Sequence, residues 1–367
     1  MIKSIYCVSI LALCVNNCLL FGRSPYRTKD PLEPTIIVKY DTDTPETACT
    51  FTNRHLSEYP LTLFDKELFD QHTLPQGPIT YRNSKKTVQS TTLNKHIEEL
   101  LQEVLQGHKE FTNFDVLCRK DFNRHECCGL EIFKYKHGSL VVKLFIDTKE
   151  GFVNPWGKGF VPIFLFYMGG GTNRHLSGFT RISNLQFVNK KIASDPYWSK
   201  RVDTPRKWFW LPENSRWLEI TARNIGNRKE FTTKIPATYA IIADAIEAER
   251  VFSFTSQEDS STALAICSML DMRVDPHITN FMIEKDTKKI VIIDTEHFQT
   301  IVGDVRFQFN NYAEWVMHLI EKCGKQMLFS SKKELRTAQK LNIESHAPSA
   351  LIASKTPHDP ELAVQPC

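Results

Sequence analysis

Between Val274 and Phe298 the chain reads VDPHITNFMIEKDTKKIVIIDTEHF. Asp275, His277 and Asn280 crowd its start, and another aspartate, Asp294, closes an apolar run. Two carboxylates and an amide are hard oxygen donors, a set that suits Mg²⁺ when phosphate oxygens complete the shell. With Asn280 and Asp294 given to the metal, Asp275 is left to orient a hydroxyl nucleophile. Those are the parts phosphoryl transfer needs, because its catalysis is chiefly positioning and charge neutralisation. The plain alternative is a hairpin whose Asp and Asn serve as turn and capping residues.

The flanking elements must bring these groups together. Pro276 disfavours helical geometry at Asp275, so DPHITN is a loop. FMIE and IVIID read as two apolar strands joined by the turn KDTKK, which sets Asn280 and Asp294 at one end of a hairpin with Asp275 close by. Upstream, FDVLCRK, GLEIFKY and SLVVKLFI form an antiparallel meander over about 114–146, with KHG as its last turn. Lys143 is the single charge in the third strand. A helix is expected from Thr92 to Gln106, with Leu93, Ile97, Leu100, Leu101, Val104 and Leu105 inward and Gly107 as its stop. Further helices are expected over 237–252 (its first half also readable as a strand), over 261–272, and near 311–323 with Trp315, Val316, Leu319 and Ile320 inward. The chain thus passes from β-rich to helix-rich, the pattern of an α+β fold with a cleft between two lobes.

Taken together, D-x-H-x-x-N, the hairpin and the strand ending in Asp294 resemble the catalytic and metal-binding loops of the protein-kinase-like superfamily. His277, where protein kinases carry lysine, makes the loop more similar to aminoglycoside, choline and lipid kinases. IDTE resembles the D-F-E variant of D-F-G, and SLVVKLFI resembles the strand bearing the ATP-phosphate lysine. The resemblance implies a β-rich N-lobe over 91–235 and a helical C-lobe over 236–345. It makes Asp275 the catalytic base, His277 a loop organiser or phosphate contact, Lys143 the nucleotide-binding lysine, and Asn280 and Asp294 the ligands of Mg²⁺ or Mn²⁺. The implied activity is ATP-dependent transfer to a hydroxyl on a protein or small molecule.

Departures are visible. No G-x-G-x-x-G precedes Lys143, and MGGGTNRH follows it. A glutamate partner for Lys143 cannot be chosen among Glu150, Glu213, Glu219 and Glu230. Thr295 and Glu296 replace the last two residues of D-F-G. A catalytically inactive, secreted binding protein of the same fold is therefore an alternative. An unrelated exported α+β protein is another, and it expects Lys143, Asp275 and Asp294 far apart.

Hydrophobic content of 41% and charged content of 24% are those of a globular chain with a sizeable core. A formal charge of +4, with basic residues scattered, gives no reason to expect nucleic acid. Residues 1–22 read as a signal peptide or N-terminal anchor, 23–90 as an extension and 346–367 as a disordered tail. Export is the expectation, as a secreted, periplasmic or host-delivered protein, and no N-x-Ser/Thr sequon is present. Of ten cysteines, Cys7, Cys14 and Cys18 fall in the leader, and the rest give no readable pairing. Cys118, His125, Cys127 and Cys128 lack a usual zinc spacing. G-x-S-x-G, H-E-x-x-H, EF-hand and Walker A patterns are absent.

Overall fold

A computed structural model of the chain describes residues 34–52, 64–124, 127–153, 171–225, 228–297, 309–318 and 320. The expected leader, the apolar run at 160–168, the first three residues of MGGGTNRH, His125 and the tail lie outside them. The architecture is mixed α+β, as the sequence indicates.

Strand β1 (Thr35–Tyr40) alternates buried and half-buried residues and pairs with β2 (Cys49–Thr52). After α1 (Lys66–Gln71), β3 (Pro78–Thr80) and β4 (Thr87–Gln89) form a small hairpin leading into α2 (Ser90–Leu105). Leu93, Ile97, Leu100, Leu101 and Val104 make the buried stripe of α2, whereas Leu105, expected on that stripe, is 47% exposed at the helix end. Gly107 (φ +75°) ends the helix in a left-handed turn, and the amides of Gly107 and His108 satisfy the carbonyls of Val104 and Glu103 at 3.0 Å.

The expected meander is β5 (Phe114–Asn123), β6 (Cys128–Tyr135) and β7 (Leu140–Ile146), all antiparallel. Helices α3 (Lys149–Val153), α4 (Gly171–Gly178) and α5 (Thr180–Ser194) come next. Strands β8 (Val202–Asp203), β9 (Lys207–Trp210), β10 (Trp217–Ile225), β11 (Arg228–Pro236), β12 (Thr238–Asp244) and β13 (Ala248–Val251) follow them. The chain continues with α6 (Gln257–Met269), β14 (Phe281–Glu284) and β15 (Ile290–Ile292). Residues 312–318 are helical, and Trp315 is buried as expected.

The helix expected over 237–252 is instead strand β12 followed by β13. Strand β12 lies between β7 and β9 in a five-stranded sheet of order β5-β6-β7-β12-β9. A central strand covered on both faces needs apolar residues on both sides, and Tyr239 to Ala243 supply them; the pairing outweighs the local alanine content. One face of this sheet, with Val142, Leu144 and Ile242, packs on α2. The other, with Phe145, Phe209, Tyr239 and Ile241, packs on Leu176, Phe179 and Ile182 of α4 and α5 and on the sheet β11-β10-β1-β2. A third core joins Val188 and Ile192 of α5 to α6, Phe281, Ile292 and Trp315. Helix α5 therefore belongs to two cores at once, between the five-stranded sheet and the β14–β15 hairpin. Among the described residues no helix is long and apolar enough to cross a membrane.

Candidate functional site

Strands β14 and β15 form the expected hairpin, with Phe281 opposite Ile292 and Ile283 opposite Ile290. At its open end the amide of Ile293 donates to the carbonyl of Asn280 at 2.9 Å, which sets Asn280 opposite Ile293, the residue before Asp294. Within the preceding loop, Asp275 Oδ1 accepts the amide of His277 at 3.1 Å, and Asn280 Nδ2 donates to the Asp275 carbonyl at 3.2 Å. His277 caps the single 3-10 turn Ile278–Asn280, with Nδ1 2.7 Å from Thr279 Oγ1 and its ring edge-on to Phe254 and Trp315. A bridge between Val274 and His297 lays the loop against the segment that follows Asp294.

Lys143 sits mid-strand in β7, opposite Ile132 and Ile241. Its neighbours Val142 and Leu144 face α2, so the pleat turns Lys143 toward α4 and α5. Its Nζ donates to Asp294 Oδ2 at 2.7 Å. Arg181 of α5 meets the same carboxylate, Nε to Oδ1 at 2.9 Å and Nη2 to Oδ2 at 3.4 Å, and its Nη2 reaches Glu296 Oε2 at 2.5 Å. Ser177 of α4 donates to the other Glu296 oxygen. Lys207 of β9 donates to Thr295 Oγ1 at 2.7 Å, and that hydroxyl donates onward to the Arg181 carbonyl at 2.5 Å. Asn184, one helical turn on, ties the arrangement together: Nδ2 donates to the carbonyls of Arg273 and Thr295, both at 3.0 Å. Three cations from three elements thus converge on Asp294-Thr295-Glu296. Arg181 and Lys207 are buried, while Lys143 and Asp294 retain 12% and 21% side-chain exposure.

The electrostatics follow from this crowding. Burial alone would raise the Asp294 carboxyl, but Arg181, Lys143 and Lys207 outweigh it and hold the group well below the usual carboxylate range. Burial lowers Lys143, and Arg181 adds to that, against the pull of Asp294. Lys207, which donates to the Thr295 hydroxyl, is driven far down by burial, despite Asp294, with repulsion from Lys143 and Arg181. Asp275 is raised to about 7 by burial, and the negative charges of Glu296 and Asp294 push the same way against the His277 amide. An acid poised there is matched to proton transfer near neutral pH.

The fold therefore brings together Lys143, Asp275, His277, Asn280 and Asp294, and the Lys143–Asp294 contact is contrary to the wide separation expected of an unrelated protein. Each glutamate considered as a partner for Lys143 lies elsewhere: Glu219 pairs with Lys39 at 3.2 Å, Glu230 with Arg223 at 2.8 Å, Glu213 is exposed and Glu150 is in α3. The helix facing Lys143 carries no acid at all; it contributes Arg181. Arg181 and Asn184 escaped the sequence reading because α5 was not expected, and Lys207 because it lies among the scattered basic residues of a tryptophan-rich stretch in which no strand was expected. Ile182, Leu185, Val188 and Ile192 do recur at helical spacing, but buried Thr180, Arg181 and Asn184 erase the contrast between its faces. Cys118, Cys127 and Cys128 are free thiols, and no group of three or more His, Cys, Asp or Glu side chains gathers to hold a metal among the described residues.

A divalent ion does not fit the site as it is arranged. Both oxygens of Asp294 are occupied by Lys143, Arg181 and the Glu296 amide, and Asn280 turns its amide nitrogen to a backbone carbonyl. A metal at Asp294 would have to displace two cations and sit beside a third. Comparison with protein-family models, with curated proteins and with solved structures found no match.

Proposed function

We propose that the chain is a kinase-like phosphotransferase that moves a phosphoryl group from ATP to a hydroxyl of a protein or small-molecule acceptor. The observation that carries this reading is the 2.7 Å contact between Lys143 and Asp294, with the Asp275 loop bridged onto the same segment. A lysine on the third strand of an antiparallel sheet, brought to an aspartate that follows a hairpin, supports the kinase-like reading, although the glutamate partner which the resemblance implies for that lysine is replaced here by Asp294. In this reading the front sheet serves as N-lobe and the region of α6 and the hairpin as C-lobe. Lys143 holds donor phosphates, and Asp275 takes the proton of the attacking hydroxyl as its oxygen bonds to phosphorus and the nucleoside diphosphate leaves. His277 and Asn280 keep the loop in shape. Export through residues 1–22 belongs to the same proposal.

The test is release of ADP from ATP by the full chain, with and without candidate hydroxyl acceptors, alongside nucleotide binding followed by calorimetry. Asp275→Asn should leave binding within about threefold of the parent and lower turnover by at least ~100-fold, the range of a positioned general base. One observation favours a second reading, that of a catalytically silent nucleotide binder: Arg181 stands where the resemblance asks for an acid. Binding by the parent with no ADP release above that of Asp275→Asn would decide for it.

A further inference from the structure

We infer that the cluster around Asp294 seats phosphate oxygens directly on protein cations, with Arg181 and Lys207 neutralising the charge that a divalent ion would otherwise neutralise. This rests on the phosphotransferase reading and specifies how its donor is held. The reasoning begins from a count. Lys143, Arg181 and Lys207 face two carboxylates, Asp294 and Glu296, so the cluster has one cation more than it has anions whenever Lys207 is protonated, and burial with the repulsion of Lys143 and Arg181 presses Lys207 toward its neutral amine. A buried unmatched charge costs several kcal/mol, so an anion joining the cluster is what lets Lys207 carry its full charge.

The second observation concerns a donor. Arg181 Nη1 is buried and makes no hydrogen bond to the described residues, although the rest of that guanidinium is fully engaged and the residue is only 2% exposed. Buried polar groups are almost always satisfied, and exceptions ask for a missing partner. An anion would satisfy the unmatched guanidinium nitrogen and hold Lys207 in its ammonium form.

The third is access. Lys143 and Asp294 form the edge of the cluster that solvent reaches, and Arg181 and Lys207 lie behind them. A polyphosphate approaching that edge meets Lys143 first, in the field of the two interior cations. It would restore the charge balance that burial now strains, the strain being visible in the depressed Lys207 ammonium. Charge-assisted contacts of Arg and Lys with phosphate are about twice as strong as neutral ones.

The experiment is isothermal titration of the full chain with ATP, and separately with inorganic tripolyphosphate, first in EDTA and then in excess Mg²⁺. Affinities in EDTA should lie within about threefold of those in Mg²⁺, and Lys207→Met should weaken both ligands by about tenfold or more, as expected for loss of a buried cation facing an anion. If Mg²⁺ raises ATP affinity tenfold or more, the inference is overturned while the phosphotransferase reading survives. Absence of ATP binding in either buffer overturns both. Should Lys207→Met fail to fold, the comparison between EDTA and Mg²⁺ on the parent chain still decides.

Discussion

Replacing Asp275 by asparagine should make the protein more stable at neutral pH while it removes transfer. In the folded chain the Asp275 carboxyl titrates at about 7, against 3.8 for an ordinary aspartate, because burial and the neighbouring Glu296 and Asp294 oppose its ionisation. An acid whose folded value is raised works against the fold once ionised. Below about pH 4 both folded and unfolded chains hold the proton and there is no penalty; it grows from there and is complete above about pH 7. A displacement of about three on the pH scale, at ~1.4 kcal/mol each, gives a penalty of about 4 kcal/mol. Asparagine keeps the oxygen that accepts the His277 amide and carries no charge. Urea titrations of parent and Asp275→Asn at pH 4.5, 6 and 8 should therefore show a small difference at the lowest pH and a gain of about 2–4 kcal/mol for the variant at pH 8. Parallel curves at all three pH values, or a less stable variant at pH 8, would show that Asp275 does not sit among the charges described.

Other perturbations probe the elements that hold the site. Asn184→Ala strips one buried and one half-buried carbonyl of their donor and should cost about 2–4 kcal/mol in chemical denaturation; a loss under 1 kcal/mol would remove Asn184 as the brace between α5 and the Asp294 segment. Gly178→Ala would place a Cβ 1.9 Å from the Tyr239 hydroxyl and 3.0 Å from Phe145, so it should lower stability by about 3 kcal/mol or more, with partial rescue by Tyr239→Phe. Arg82 grips the buried Glu284 with Nε and Nη2 at 2.6 and 3.0 Å, and Asp203 at 2.8 Å. Arg82→Met should cost about 3–5 kcal/mol at pH 7 by leaving that carboxylate unpaired. Burial would raise the Glu284 carboxyl, but Arg82 overrides it and the group is lowered, so its stabilisation is present above about pH 4.5 and fades as pH falls. The gap between parent and Arg82→Met should narrow in acid, which pH-resolved denaturation can measure.

The hairpin, the meander and the stripe of α2 were legible because each depends on a local pattern: alternation for strands, 3.6-residue recurrence for helices, and a glycine to stop α2. Lys143 stood out as the lone charge in an apolar strand. What escaped the sequence is set by distant pairing. Strand β12 becomes the inner strand of a sheet only because β7 and β9 flank it, and no window around Ala240 reveals that. Strand β1 pairs with β10, far along the chain. The pairing of Arg181 with Asp294 and Glu296 could be seen only once α5 lay between the sheet and the hairpin. Residue types could nominate the acids, but they could not show that three cations surround them.

The central claim is that nucleotide phosphates settle at Lys143, and an acyl-phosphate ATP probe tests it most directly. Such a probe transfers its acyl group to the amine nearest the phosphates, and burial lowers the Lys143 ammonium below its ordinary value, which favours acylation there. After brief exposure of the full chain and peptide mapping, the account predicts Lys143 as the principal modified lysine, with labelling suppressed by excess ATP. Modification spread over exposed lysines and indifferent to ATP, with Lys143 unlabelled, would contradict it.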